Sequence, residues 1–241
     1  MMSMPIAIEI SDPAAEAKHI NEVLSYFNFI DETFSTYKPT SEISRLNGGE
    51  IDASQMSDDL REVFALAEET KDLTYGYFDI RRPSGGFDPS GLVKGLMIFR
   101  GAEILRGHGF KNFYVEIAGD IQTHGVNPQG EPWRIGIRNP LKTDGIVKVM
   151  HLSNVGVATS GSYLRGAHIY DPFAPGRALD EIVSLTVVGP NVYEADRFAT
   201  AAFAMGADGI KFIAGLPGFA GYMIDRNGLA TMTNGFDAYT H

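Results

Sequence analysis

Three short segments carry residues able to do chemistry together. Asp88-Pro89-Ser90-Gly91-Leu92-Val93-Lys94-Gly95 joins two glycines to a lysine at what reads as a helix entry. Ala158-Thr159-Ser160-Gly161 precedes His168-Ile169-Tyr170-Asp171-Pro172, and Glu194-Ala195-Asp196-Arg197-Phe198-Ala199-Thr200 sets a carboxylate and a hydroxyl one helical turn apart. A helix N-terminus presents unpaired N–H groups and a positive dipole end, which suit phosphate, and Lys94 adds a mobile charge. Asp196 and Thr200, at i and i+4, share a helix face. With a nearby backbone carbonyl they form a sparse set of hard oxygens, which magnesium completes with water and phosphate. His168 beside a turn could take a proton from an attacking hydroxyl near neutral pH. A divalent cation, a pyrophosphate and a base together point to a nucleotide-handling enzyme.

Taken singly, each segment has an ordinary structural explanation. Helix capping accounts for Asp88 and Ser90, with Lys94 on a solvated face, and for one isolated motif capping is the commoner outcome. The glycine spacing is not that of a P-loop. Glu194 and Asp196 could simply oppose the helix dipole. Ser160 lacks the Gly-x-Ser-x-Gly elbow of a serine hydrolase, so its hydroxyl is expected to order a turn or touch a ligand. The polar stretch from Thr36 to Asn47 offers Tyr37 to cover an aromatic ring, with Arg45 and Asn47 to fix the loop; a helix end, turn and short helix explain it equally well. Tyr77-Phe78-Asp79 is a second aromatic–acidic group with the same ambiguity.

The elements that must position these residues follow from periodicity. Ile6 to Ile10 predicts a strand, and Asp12 with Pro13 predicts a helix start. Ile20, Val23, Leu24, Phe27 and Phe34 give that helix an apolar face. Ser57 caps a second helix, with Asp58 and Asp59 in its first turn and Leu60, Val63, Phe64 and Ala67 inward. A third runs from about Leu92 to Leu105. Strands are expected at Phe113–Ile117, Trp133–Ile137, Ile146–Leu152, Val155–Ala158 and Ile182–Val188. Helices then follow near Tyr193–Met205 and Asp208–Leu216, and a hairpin turns at Arg226-Asn227-Gly228. Helices and strands grouped in this way favour an α+β fold over a doubly wound parallel sheet, with no break between domains over residues 1–241.

Composition narrows the class. The 241 residues are 44% hydrophobic and 11% aromatic, enough for a substantial core. A net charge of −10 argues against nucleic acid or an anionic membrane as partner, so any phosphate must be held by a local basic or cationic site. There are no cysteines, hence no disulfide, thiolate metal site or lipidated cysteine. No run approaches the ~18 apolar residues of a membrane helix, and no basic-then-apolar leader is visible. A cytoplasmic protein is expected.

The order of the motifs resembles the ApbE family, flavin transferases that use FAD and magnesium to attach FMN to a threonine or serine of an acceptor protein. The resemblance runs through Phe34 to Asn47, Gly76 to Asp79, Asp88 to Gly95, Lys111 to Asp120, Ala158 to Gly161, His168 to Pro172 and Glu194 to Thr200. It implies an α+β fold of largely antiparallel sheets with packed helices. It implies metal ligation by the Gly91 carbonyl, Asp196 and Thr200, and flavin-nucleotide contacts from Met2, Tyr37, Tyr77, Phe78, Asp79, Asp88, Lys94 and Tyr170. His168 would accept the proton of the incoming hydroxyl. Two other outcomes stay open: an FAD pyrophosphatase releasing FMN and AMP, and a flavin-binding protein without catalysis. The chain also departs from the family pattern. Only Ile80 to Phe87 separates the Gly-x-Phe-Asp motif from Asp88, and Ala118-Gly119-Asp120 stands where Gly-Gly-Asp is commoner. The sole tryptophan, Trp133, lies outside the expected flavin loop, so a more open or differently covered pocket is expected. With no cysteine to lipidate, the acceptor is expected to be cytoplasmic.

Overall fold

A computed structural model describes residues 4–142, 145–161, 169–174, 176 and 178–240. Its centre is a seven-stranded antiparallel sheet in the order β1-β2-β3-β6-β7-β8-β9. The strands are β1 (Ile6–Ile10), β2 (Phe113–Ile117), β3 (Asp120–His124), β6 (Gly156–Gly161), β7 (Ile182–Gly189), β8 (Ala220–Asp225) and β9 (Ala230–Met232). A separate hairpin, β4 (Trp133–Arg138) with β5 (Ile146–Leu152), completes the β structure. The helices are α1 (Ala17–Phe34), α2 (Glu42–Asn47), α3 (Asp58–Leu73), α4 (Ser90–Gly107), α5 (Val192–Ala204) and α6 (Gly209–Ala214).

Strand alternation decides what covers each face. Phe113, Val115 and Ile117 of β2 join a core with Val23, Phe27, Ile30 and Phe34 of α1 and Leu92, Ile98 and Leu105 of α4. Leu185 and Val187 of β7 pack under α5 and α6. The residues of opposite parity, among them Ile121, Val157, Val188 and Tyr222, pack against Ile137, Met150 and Leu152 of the β4–β5 hairpin. Burying each large apolar side chain contributes about 1.5–3 kcal/mol.

Two local details differ from the sequence expectation. The first helix starts at Ala17, not at Pro13. Asp12 is occupied elsewhere: its carboxylate accepts the N–H groups of Lys111 (2.9 Å) and Asn112 (2.7 Å), tying the end of β1 to the start of β2. Strand β3 was not anticipated at all. It follows a two-residue turn, Ala118 (φ 54°) and Gly119 (φ 94°), in which both residues lie in the left-handed region. That is the hairpin geometry that favours glycine, and Ala118 adopts it despite its Cβ.

Candidate active site

Helices α4 and α5 cross at unusually close range because α4 offers glycines there. A Cβ on Gly95 would fall 2.7 Å from the Asp196 Cβ and 2.9 Å from the Val192 carbonyl oxygen. One on Gly91 would fall 3.1 Å from Thr200 Cγ2. Glycines at i and i+4 on α4 thus face Val192, Asp196 and Thr200, spaced by four along α5. Thr200 Oγ1 lies 3.4 Å from the Gly91 carbonyl oxygen, and the Gly95 N–H donates to Asp196 Oδ2 at 2.8 Å. The three positions expected to share a cation are therefore side by side.

Lys94 closes the group from the same helix turn. Its Nζ lies 2.5 Å from Asp120 Oδ2 and 3.5 Å from Asp196 Oδ1. Asp120, almost wholly buried, also accepts the Thr159 N–H at 3.0 Å through Oδ1. It thereby joins β3 to β6 where their backbone pairing, seen at Ile121–Val157 and Gln122–Gly156, has ended. Complete burial pushes the Asp196 carboxyl up to about 7; Lys94 opposes that shift and the neighbouring Asp120 charge adds to it. Such a carboxylate gains from a cation set against it.

Gly91, Lys94, Thr159, Asp196 and Thr200 line one wall of a cavity of about 1630 Å³. That exceeds the roughly 300–1,000 Å³ typical of a small-molecule site and suits an extended ligand. Of the residues expected to touch a nucleotide, Tyr37, Tyr77, Phe78, Asp79, Asp88, Lys94 and Tyr170 all line it. Tyr37 stands 87% exposed at the mouth, whereas Phe78 is buried and packs near Gly91. Asp79 is held by Lys71 (2.7 Å) and by the Arg81 N–H (2.8 Å). The Tyr170 hydroxyl donates to the Arg81 carbonyl at 2.9 Å. Asn47 clamps the short segment before Asp88, accepting the Phe87 N–H (2.7 Å) and donating to its carbonyl (2.9 Å). Met2 and His168 lie outside the described residues; Gly161 and Ile169, which flank the histidine's segment, both line the cavity.

The far wall was not foreseen. It is built from β2 and the β4–β5 hairpin, including Tyr114, Glu116, Trp133, Ile137 and Arg138. Trp133, set apart from the pocket in the sequence reading, belongs to it: its ring meets Tyr114 edge-on at 5.0 Å and its Nε1 donates to the His124 carbonyl at 3.1 Å. The hairpin reaches the cavity by packing across the sheet, a tertiary relation with no local signature. The alternation of β2, which puts Tyr114 and Glu116 opposite the helix-facing Phe113 and Val115, was the one signal available.

The donor set fits a hard divalent cation. A carbonyl, a carboxylate and a hydroxyl are the oxygen ligands magnesium or calcium prefers, and the missing Cβ atoms at 91 and 95 let the two helices bring them together. Among the described residues no group of three or more His, Cys, Asp or Glu side chains is arranged to hold a metal. A cation here would depend on the backbone oxygen and on ligand oxygens. No helix of the described residues is long and apolar enough to cross a membrane.

An antiparallel sheet with a helical layer, whose two central helices set three oxygen donors and a lysine beside a cavity of nucleotide size, defines an α+β protein with a candidate nucleotide site. The ApbE family profile matches residues 2–84 and 80–223, and the chain belongs to that family. It is 33% identical over 159 residues to the FAD:protein FMN transferase of Haemophilus influenzae, covering 61% of this chain and 46% of that protein. It is 30% identical over 168 residues to the FAD:protein FMN transferase of Escherichia coli K12, covering 66% and 45%. The chain thus spans about half the length of these curated relatives. The flavin transferase ApbE of Vibrio cholerae superposes with a TM-score of 0.84 at 23% identity, over 99% of this chain and 96% of that one. The ApbE protein of Thermotoga maritima gives 0.85 at 20% identity, over 98% and 96%. At these identities the likeness establishes the fold.

Proposed function

We propose that the protein transfers FMN from FAD to a threonine or serine hydroxyl of an acceptor protein, with magnesium, releasing AMP. The observation that carries this reading is the convergence of the Gly91 carbonyl, Asp196, Thr200 and Lys94 on one wall of a cavity large enough for a dinucleotide. Family membership and the names of the relatives support it. Gly91, Asp196 and Thr200 would hold the cation, which when bound draws charge from the pyrophosphate oxygens. Lys94 and the α4 N-terminus would fix the same phosphates. Tyr37, Tyr77, Phe78, Asp79, Asp88 and Tyr170, with Met2 from the resemblance, would contact the nucleotide. The acceptor oxygen attacks the FMN phosphorus, its proton passes to His168, and the bond from that phosphorus to the AMP phosphate oxygen breaks. The chain supplies mainly alignment and electrostatics.

The test is incubation with FAD and magnesium, with and without a polypeptide bearing a candidate Thr/Ser motif. Acid-stable flavin fluorescence on the polypeptide is the expected result. Free FMN and AMP without labelling would mean hydrolysis, and unchanged FAD would mean binding alone. His168→Ala should cut the labelling rate about 10²–10⁴-fold while FAD affinity stays near wild type. Full transfer by that variant removes His168 from the role.

A further inference from the structure

The cavity has a second polar feature, remote from the α4–α5 crossing and unused by the phosphate chemistry. Around the Ala118–Gly119 turn, both of whose residues line the cavity, its wall passes to the opposite face of the sheet. There Tyr114, Ile121, Trp133 and Ile137 present apolar and aromatic surface. Charged side chains also line that surface, Glu9 and Glu116 on the sheet and Arg134 and Arg138 on the hairpin. Arg138 stabilises the charge on Glu116, yet the two form no ion pair among the described residues. Burial outweighs both that attraction and a hydrogen bond from the Gly119 N–H, raising the Glu116 pKa. A β-bulge between Ile137 and Arg138 shifts the register at the arginine, a device that re-aims a side chain.

We propose that Glu116 and Arg138 read the hydrogen-bonding edge of a flat heteroaromatic ring lodged between the sheet face and the β4–β5 hairpin. A carboxylate only accepts and a guanidinium only donates, so the pair selects an edge with an N–H beside an acceptor. FAD, on the reading above, offers this twice. Isoalloxazine presents N3–H between two carbonyls, and adenine presents its exocyclic N–H beside N1. Apolar walls with a few placed polar groups are the usual form of such a site. A site built to pair an edge rejects rings that leave its polar groups unpaired.

The inference rests on the FAD reading, and the experiment separates the two. Wild type, Glu116→Leu and Arg138→Gln are titrated calorimetrically with FAD, FMN and AMP at fixed magnesium. We expect Glu116→Leu to weaken FAD and one mononucleotide about tenfold or more, leaving the other within about twofold. Arg138→Gln, at an exposed position that does not endanger folding, should weaken the same one. Loss confined to FMN assigns the slot to isoalloxazine; loss confined to AMP assigns it to adenine. If wild type binds FAD and Arg138→Gln leaves FMN and AMP both unchanged, the inference is overturned, whether Glu116→Leu changes neither or weakens both alike. If wild type binds no FAD, the flavin reading itself fails and takes the inference with it.

Discussion

Lys94 is held between two carboxylates of unequal reach, and its position decides where the site's positive charge lies. Asp120 takes it at 2.5 Å and Asp196 at 3.5 Å. Without Asp120 the ammonium would turn onto Asp196 and compete for the oxygen expected to face a cation. Asp120→Asn keeps the side-chain shape and the acceptor for the Thr159 N–H while removing that hold. Hydrogen bonds involving charged groups contribute about 1.5–3 kcal/mol, so kcat/KM for FAD should fall roughly ten- to a hundredfold. Circular dichroism should be unchanged. A variant with wild-type kcat/KM would show that Asp120 does not position the lysine.

At the scale of elements, the contact between α4 and α5 is set by what α4 lacks. Gly95→Ala would drive a methyl into the Asp196 Cβ and the Val192 carbonyl, overpacking that costs about 1–3 kcal/mol. Gly107→Ala, with nothing within 4 Å, is the control and should be neutral or gain up to about 1 kcal/mol through helix propensity. Urea denaturation of the two variants separates close packing from propensity; equal stabilities would discount the crossing. The same contrast explains what could be read from the chain. The periodicity of α1 and the cap at Ser57, whose hydroxyl does accept the Leu60 N–H, are local and were legible. So were the helix face shared by Asp196 and Thr200 and the entry at Lys94. Strand β3 was not, because its polar side chains serve distant partners: Asp120 holds Lys94, Gln122 accepts the Val192 N–H, and Thr123 donates to the Val155 carbonyl. A strand spent on such contacts loses the hydrophobic alternation that would reveal it. Trp133 and Glu116 were missed for the related reason that the cavity joins faces of the sheet which no sequence interval connects.

For the whole molecule, the cavity draws on parts of the chain that otherwise meet only through the sheet. The loop at Tyr37, the segment from Tyr77 to Lys94, strand β2, the β4–β5 hairpin and helix α5 each contribute wall. A ligand spanning it adds contacts across all of them, and one that binds only the folded chain stabilises it by mass action. At about a hundred times its dissociation constant the gain is about 2.7 kcal/mol. For a domain of this size each kcal/mol moves Tm by about 2–4 °C, so the rise should be roughly 5–10 °C. The chain carries a net charge of −10, and an FAD pyrophosphate adds to it. Most of the stabilisation should therefore require magnesium, and FAD alone should raise Tm by much less. Asp196→Asn should abolish the magnesium-dependent part and leave the smaller FAD-only shift in place. Thermal melts of wild type and variant, with FAD and with or without magnesium, decide the point. If magnesium leaves the FAD-induced shift unchanged in the wild type, the oxygen triad between α4 and α5 holds no cation.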